Sequence, residues 1–157
     1  MSSNLSPQSI ALAVRAAAIA GVGWNAFGML QFAGSVAADE ASLIASGLTP
    51  EQAYVMASHP VWMTVAFAVG VFGGLAGSVL LFWRHRLARP VLAASLVAYI
   101  ALWIGDAVHG VFAALGAPQV AILSLVVVIA AGLWLVARAA GAAFRVSPVY
   151  GIGNETA

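Results

Sequence analysis

The chain has 157 residues, 63% of them hydrophobic and 7% charged, with six arginines, no lysine, five carboxylates and a formal net charge of +1. Soluble domains carry roughly 25% charged residues, so this composition describes an integral membrane protein whose first partner is the lipid bilayer. So small a charge leaves no basic face for nucleic acid, and zero cysteines remove disulfides, thiolate metal sites and a cysteine nucleophile.

Charged residues punctuate the chain, and the gaps between them delimit the spans. No charge falls between Arg15 and Asp39, between Glu51 and Arg84, or between Asp106 and Arg138. A hydrocarbon core about 30 Å thick takes roughly 20 helical residues. The pattern predicts an all-α integral membrane four-helix bundle with helices over about 10–36, 60–83, 90–115 and 119–143. It forms one transmembrane domain over 1–157, with a flexible C-terminal tail at 144–157.

The first predicted helix carries a face of small and polar residues: Gly21, Asn25, Gly28 and Ser35. Ser35-Val36-Ala37-Ala38 has the form of a signal-peptidase site. The preceding run is longer than a signal h-region, holds Trp24 and Asn25 and lacks a basic extreme N-terminus, so a retained span is expected.

The outer loop between the first two helices is the one substantial connection. Thr49-Pro50-Glu51-Gln52 has the form of a helix start, with threonine as N-cap, proline at the first helical position and glutamine completing a capping box. A short amphipathic helix over about 50–57 is predicted, with an earlier helical turn over 39–46 ended by Gly47. Such a loop is either a capped connector or a lid over an outward-facing pocket.

The second predicted helix has Gly70, Gly73, Gly74, Gly77 and Ser78, with two glycine pairs at four-residue spacing. In lipid, small residues let helix backbones approach closely and supply packing energy. Such ridges serve packing within the bundle or a face for a second copy or another membrane protein. Trp62 and Trp83 stand 21 residues apart, roughly 31 Å along a helix, the spacing of two interfacial anchors.

All six arginines fall on one side of this arrangement and Asp39, Glu40 and Glu51 on the other. The positive-inside rule then places both termini and the 84–89 turn in the cytoplasm. Scarce lysine beside abundant alanine and arginine suits a high-GC bacterium, and hence its inner membrane.

Trp24-Asn25-Ala26-Phe27-Gly28, Thr49-Pro50-Glu51-Gln52, Pro60-Val61-Trp62, Gly73-Gly74-Leu75-Ala76-Gly77-Ser78, Arg84-His85-Arg86 and Pro90-Val91-Leu92-Ala93-Ala94-Ser95 are read together. With these segments, residues 24–96 resemble a family of small bacterial four-helix membrane proteins commonly labelled sugar transporters. The resemblance implies a multi-pass membrane fold. It brings no established activity and no site residues, and none is carried over.

In the third predicted helix, Asp106 is the one carboxylate inside an apolar run, about 22 Å from the arginine-side boundary and about 13 Å from the other. Ionisable residues at such depth are costly and mark function by default. His109 follows one turn later, and Ser95 and Tyr99 extend the same face. On the first helix Asn25 and Gln31 lie roughly 15 and 24 Å deep, so Gln31 is expected to meet Asp106 across the bundle. No arginine shares that depth. The carboxyl is therefore protonated, paired with a charged His109, or matched by a bound cation.

His59, His85 and His109 occupy three depths, which excludes a two-histidine haem. A metal site from Asp106, His109 and His59 has too few ligands to be favoured, so no metal and no cofactor are expected. No Ser/His/Asp triad, nucleotide loop or carboxylate pair is present, and an enzyme is not expected. Two functions remain. One is an accessory or stabilising subunit of a membrane complex, acting by helix packing through the glycine ridges with a membrane-protein partner or as a homodimer. The other is a small-solute or proton-linked transporter using Asp106, His109, Asn25, Gln31 and Tyr99.

Overall fold

The structure is a computed structural model that describes residues 7–143. The tail expected at 144–157 lies outside the described residues. Seven helices make up the described chain: α1 (Pro7–Ala37), α2 (Glu40–Ala45), α3 (Pro50–Ala57), α4 (Val61–Phe82), α5 (Ala88–Val108), α6 (Val111–Leu115) and α7 (Ala117–Ala143). Four of them, α1, α4, α5 and α7, are long and apolar enough to cross a membrane. The protein is thus a multi-pass, all-helical membrane protein. Its outward faces carry large apolar side chains such as Leu30, Val61, Val97, Val108 and Val128, a surface suited to lipid and foreign to a soluble monomer.

The expected four-helix bundle is corrected to a seven-helix chain with four spans. Of the three helices beyond the spans, α3 is the short helix predicted over 50–57, α2 occupies the turn predicted over 39–46, and α6 is additional. The helix predicted over 90–115 is two helices, because Gly110 adopts a left-handed φ of +79° and releases the chain from the α5 axis. The His109 N–H donates to the Gly105 carbonyl at 2.8 Å and closes α5 one residue before that break. In the 38–59 connection, two capping boxes nucleate two short helices. Asp39 Oδ1 accepts from the Ser42 N–H at 2.8 Å, and this bond holds the Asp39 carboxyl below its ordinary range. Thr49 Oγ1 accepts from the Gln52 N–H while the Thr49 N–H donates to Gln52 Oε1.

The four spans form a ring in the order α1, α4, α5, α7. Neighbours pack extensively except α1 and α7, which touch least around the ring. The core shows why. Near the arginine end, Val14 and Ala18 of α1 join Leu81, Leu92 and Leu133, so all four spans meet. At the far end the buried cluster is Met63, Leu102 and Leu123, from α4, α5 and α7 alone. There α1 rests on α4 instead, with the Phe32 ring edge-on to Phe67 and Phe72 at 5.4 and 5.8 Å.

The glycines of α4 bring both of its neighbours in. A Cβ at Gly70 would stand 2.7 Å from the Tyr99 ring, and one at Gly77 would stand 2.6 Å from Leu92, both on α5. A Cβ at Gly74 would overlap the Asn25 amide of α1. Ser95 Oγ of α5 donates to the Gly70 carbonyl of α4 at 2.6 Å, an interhelical bond that such an approach permits. Ser78, read as part of the ridge, is fully buried and donates to the Gly74 carbonyl of its own helix.

Gly74→Ala forces α1 from α4 and should lower unfolding stability in detergent by about 1–3 kcal/mol, the range for overpacking a close interface. Gly132→Ala, where a Cβ meets nothing within 4 Å, should be close to neutral. Equal thermal midpoints for the two variants would contradict the ridge assignment.

Candidate functional site

Where α1 parts from α7, the bundle encloses a cavity of about 310 Å³. Its walls are mainly apolar, with Trp24 and Phe27 from α1, Met63 and Phe67 from α4, and Leu123 and Val126 from α7. Met56 of α3 and Val111 of α6 close it from the loop end. The two short helices are tied to each other across the chain, since Gln52 Nε2 donates to the Ala114 carbonyl at 3.0 Å. The 50–57 segment is therefore both a capped connector and a contributor to the cavity wall.

Asp106 reaches this cavity from α5 and is 5% exposed. Its Oδ2 accepts from Gln119 Nε2 of α7 at 3.0 Å. Gln119 is the one hydrogen-bond partner of this carboxyl among the described residues, which leaves Oδ1 available to a ligand. His59, in the turn between α3 and α4, lines the same cavity. Its Nδ1 is buried without a hydrogen-bond partner, a deficit worth roughly 1–3 kcal/mol unless something fills it.

The other residues singled out from the sequence divide in two. Gln31 and Tyr99 share the cavity with Asp106. Gln31 faces it without bonding the carboxyl, a role that Gln119 takes. His109 is exposed at the end of α5, where its ring lies 6.0 Å from that of Trp62, and it does not line the cavity. The spacing of Asp106 and His109 places them on one helical face only while the helix continues, and α5 ends between them. Asn25 is buried lower in the bundle, donates to the Gly21 carbonyl at 2.8 Å and packs against Gly74. Among the described residues no group of three His, Asp or Glu is placed to hold a metal ion.

Gln119 and His59 are the site residues that sequence reasoning undervalued. The signal for Gln119 was present in Pro118, a residue favoured in the first turn of a helix. It starts α7 two residues earlier than the predicted 119 and sets Gln119 in the first turn of the helix. Nothing local announces His59, whose placement depends on α3 folding back over the bundle.

No family model, no curated protein and no solved structure matches the chain.

Gln119→Leu strands the Asp106 carboxyl and should cost about 1–3 kcal/mol of unfolding free energy. Adding Asp106→Leu should restore much of the loss, giving a coupling energy of about 0.5–3 kcal/mol in a double-mutant cycle. Additive effects in chemical denaturation in detergent would rule out the pairing.

Proposed function

We propose that the chain is a noncatalytic solute-binding membrane protein of the carrier type. The cavity takes a small amphipathic molecule and presents the Asp106 carboxyl to its basic or hydrogen-bond-donating group. The observation that carries this reading is the Asp106 carboxyl in the wall of a mainly apolar cavity, with Gln119 as its one hydrogen-bond partner among the described residues. Ligand sites are typically apolar enclosures with a few convergent polar groups, and about 310 Å³ is at the small end of their range. Gln31, Tyr99 and Gln119, from α1, α5 and α7, supply further hydrogen-bonding capacity to the same cavity.

The chemistry of the wall favours some solutes over others. A free sugar carries a hydroxyl on nearly every carbon and would find few partners among Phe27, Phe67, Leu123 and Val126, so the label borne by the family that residues 24–96 resemble receives no support from the cavity. An amphipathic amine matches better, with its chain against those side chains and its nitrogen at Asp106. The accessory-subunit reading drew on the glycine ridges, and the interfaces inside the bundle occupy them. A partner protein would therefore have to meet another surface.

Octylamine added to the detergent-purified protein should bind saturably and change tryptophan fluorescence, because Trp24 stands in the cavity wall. Asp106→Asn should weaken that binding by about tenfold or more, as the loss of a hydrogen bond to a charged group implies, and glucose should not compete. Amine flux into proteoliposomes should fall in parallel. Wild-type binding and flux by Asp106→Asn would remove this reading.

A further inference from the structure

The end of the bundle away from the cavity holds a second concavity, assembled from segments far apart in the chain. Arg84, His85, Arg86 and Arg89 come from the α4–α5 turn and the start of α5, and Arg138 from near the end of α7. They line a cleft of about 500 Å³ whose floor is apolar, with Leu81, Ala88, Ala137 and Ala140. Among the described residues no carboxylate lines it. Asp39, Glu40 and Glu51 belong to the connection at the opposite end, and Asp106 lines the first cavity. Arg86, Arg89 and Arg138 thus line one cleft in which no described residue supplies an acidic counter-charge, an arrangement that favours an anion there.

Local structure holds these groups in position. The end of α4 is a Schellman turn, in which the His85 N–H donates to the Leu80 carbonyl at 2.8 Å and the Arg84 N–H to the Leu81 carbonyl at 3.0 Å. Glycine is usual at the left-handed position of that turn, yet Arg84 stands there with φ +55°. The turn accepts the steric cost of a Cβ while keeping an arginine at the cleft. The Arg138 guanidinium sits 5.7 Å above the Trp134 ring, a cation–π contact that directs it. His85 Nδ1 accepts from the Leu87 N–H at 3.2 Å, so the neutral ring carries its proton on Nε2 as a further donor.

We propose that this cleft binds the phosphate headgroup of an anionic membrane phospholipid, with Arg86, Arg89 and Arg138 donating to its oxygens. The guanidinium fork matches phosphate geometry. The surroundings select a lipid over free phosphate. The cleft lies at the ends of lipid-crossing helices, its floor is apolar, and Phe82, Trp83 and Leu87 stand exposed beside it where acyl chains would run. Basic pockets between transmembrane helices recognise anionic headgroups in this way.

Native mass spectrometry of the protein released from uncharged detergent supplies the test, with diphosphatidylglycerol, phosphatidylcholine and inorganic phosphate as probes. Diphosphatidylglycerol should be retained and phosphatidylcholine lost, and the apparent affinity should fall about fivefold in Arg138→Gln and further in Arg86→Gln/Arg89→Gln. Arg138→Lys, which keeps the charge, should retain most of the binding. Should a glutamine variant fail to fold, the wild-type chain still decides the matter, because diphosphatidylglycerol and not phosphatidylcholine must raise its thermal midpoint. Equal retention of the two lipids, unchanged binding by Arg138→Gln, or displacement of the lipid by millimolar inorganic phosphate would overturn the assignment.

Discussion

The close approach of α4 to its two neighbours is the constraint on which the rest of the structure depends. Lipid gives helices no hydrophobic reason to associate, so contact at backbone distance must supply the packing energy. Gly70 and Gly77 admit Tyr99 and Leu92 of α5, and Gly74 admits Asn25 of α1. With α1 committed to α4 on one side, the ring closes tightly against α7 only near the arginine end, where Val14, Ala18 and Leu133 meet. The cavity follows from this uneven closure. It is the space that α1 leaves when it follows α4 rather than α7.

The polar groups of the interior divide along the same line. Where the bundle is tight they are satisfied at short range: Ser95 by the Gly70 carbonyl, Ser78 by the Gly74 carbonyl and Asn25 by the Gly21 carbonyl. These bonds use hydroxyls and amides to tie helices together or to quiet a side chain against its own backbone. Where the bundle opens, satisfaction is partial. Among the described residues Asp106 has Gln119 on one oxygen, and the buried His59 Nδ1 has no hydrogen-bond partner. Unfilled hydrogen-bonding capacity in an apolar enclosure is costly until water or another occupant meets it.

Charge has been sorted to the two ends as strictly as polarity within the interior. The carboxylates of the loop end cap short helices: Asp39 caps α2, and Glu51 stands in the first turn of α3. At the other end Arg84, Arg86, Arg89 and Arg138 line a cleft.

Much of this was legible in the amino-acid sequence. Spans are dictated by composition over some 20 residues, and the gaps between charges locate α1, α4, α5 and α7. The capping box at Thr49 is a local signal and announces α3, and the glycine spacing of α4 announces its packing role. Asp106 stands out because a carboxylate in an apolar run is costly wherever its neighbours lie. The break at Gly110 was not legible, since glycine is tolerated within membrane helices and only its φ shows which use the chain makes of it. Nor was the separation of His109 from Asp106, which depends on that break. The partnership of Asp106 with Gln119, the arrival of His59 over the cavity and the meeting of Arg138 with the 84–89 turn join residues from different helices. Sequence spacing governs only neighbours on one helix, and these contacts were decided by how the helices pack against one another in three dimensions.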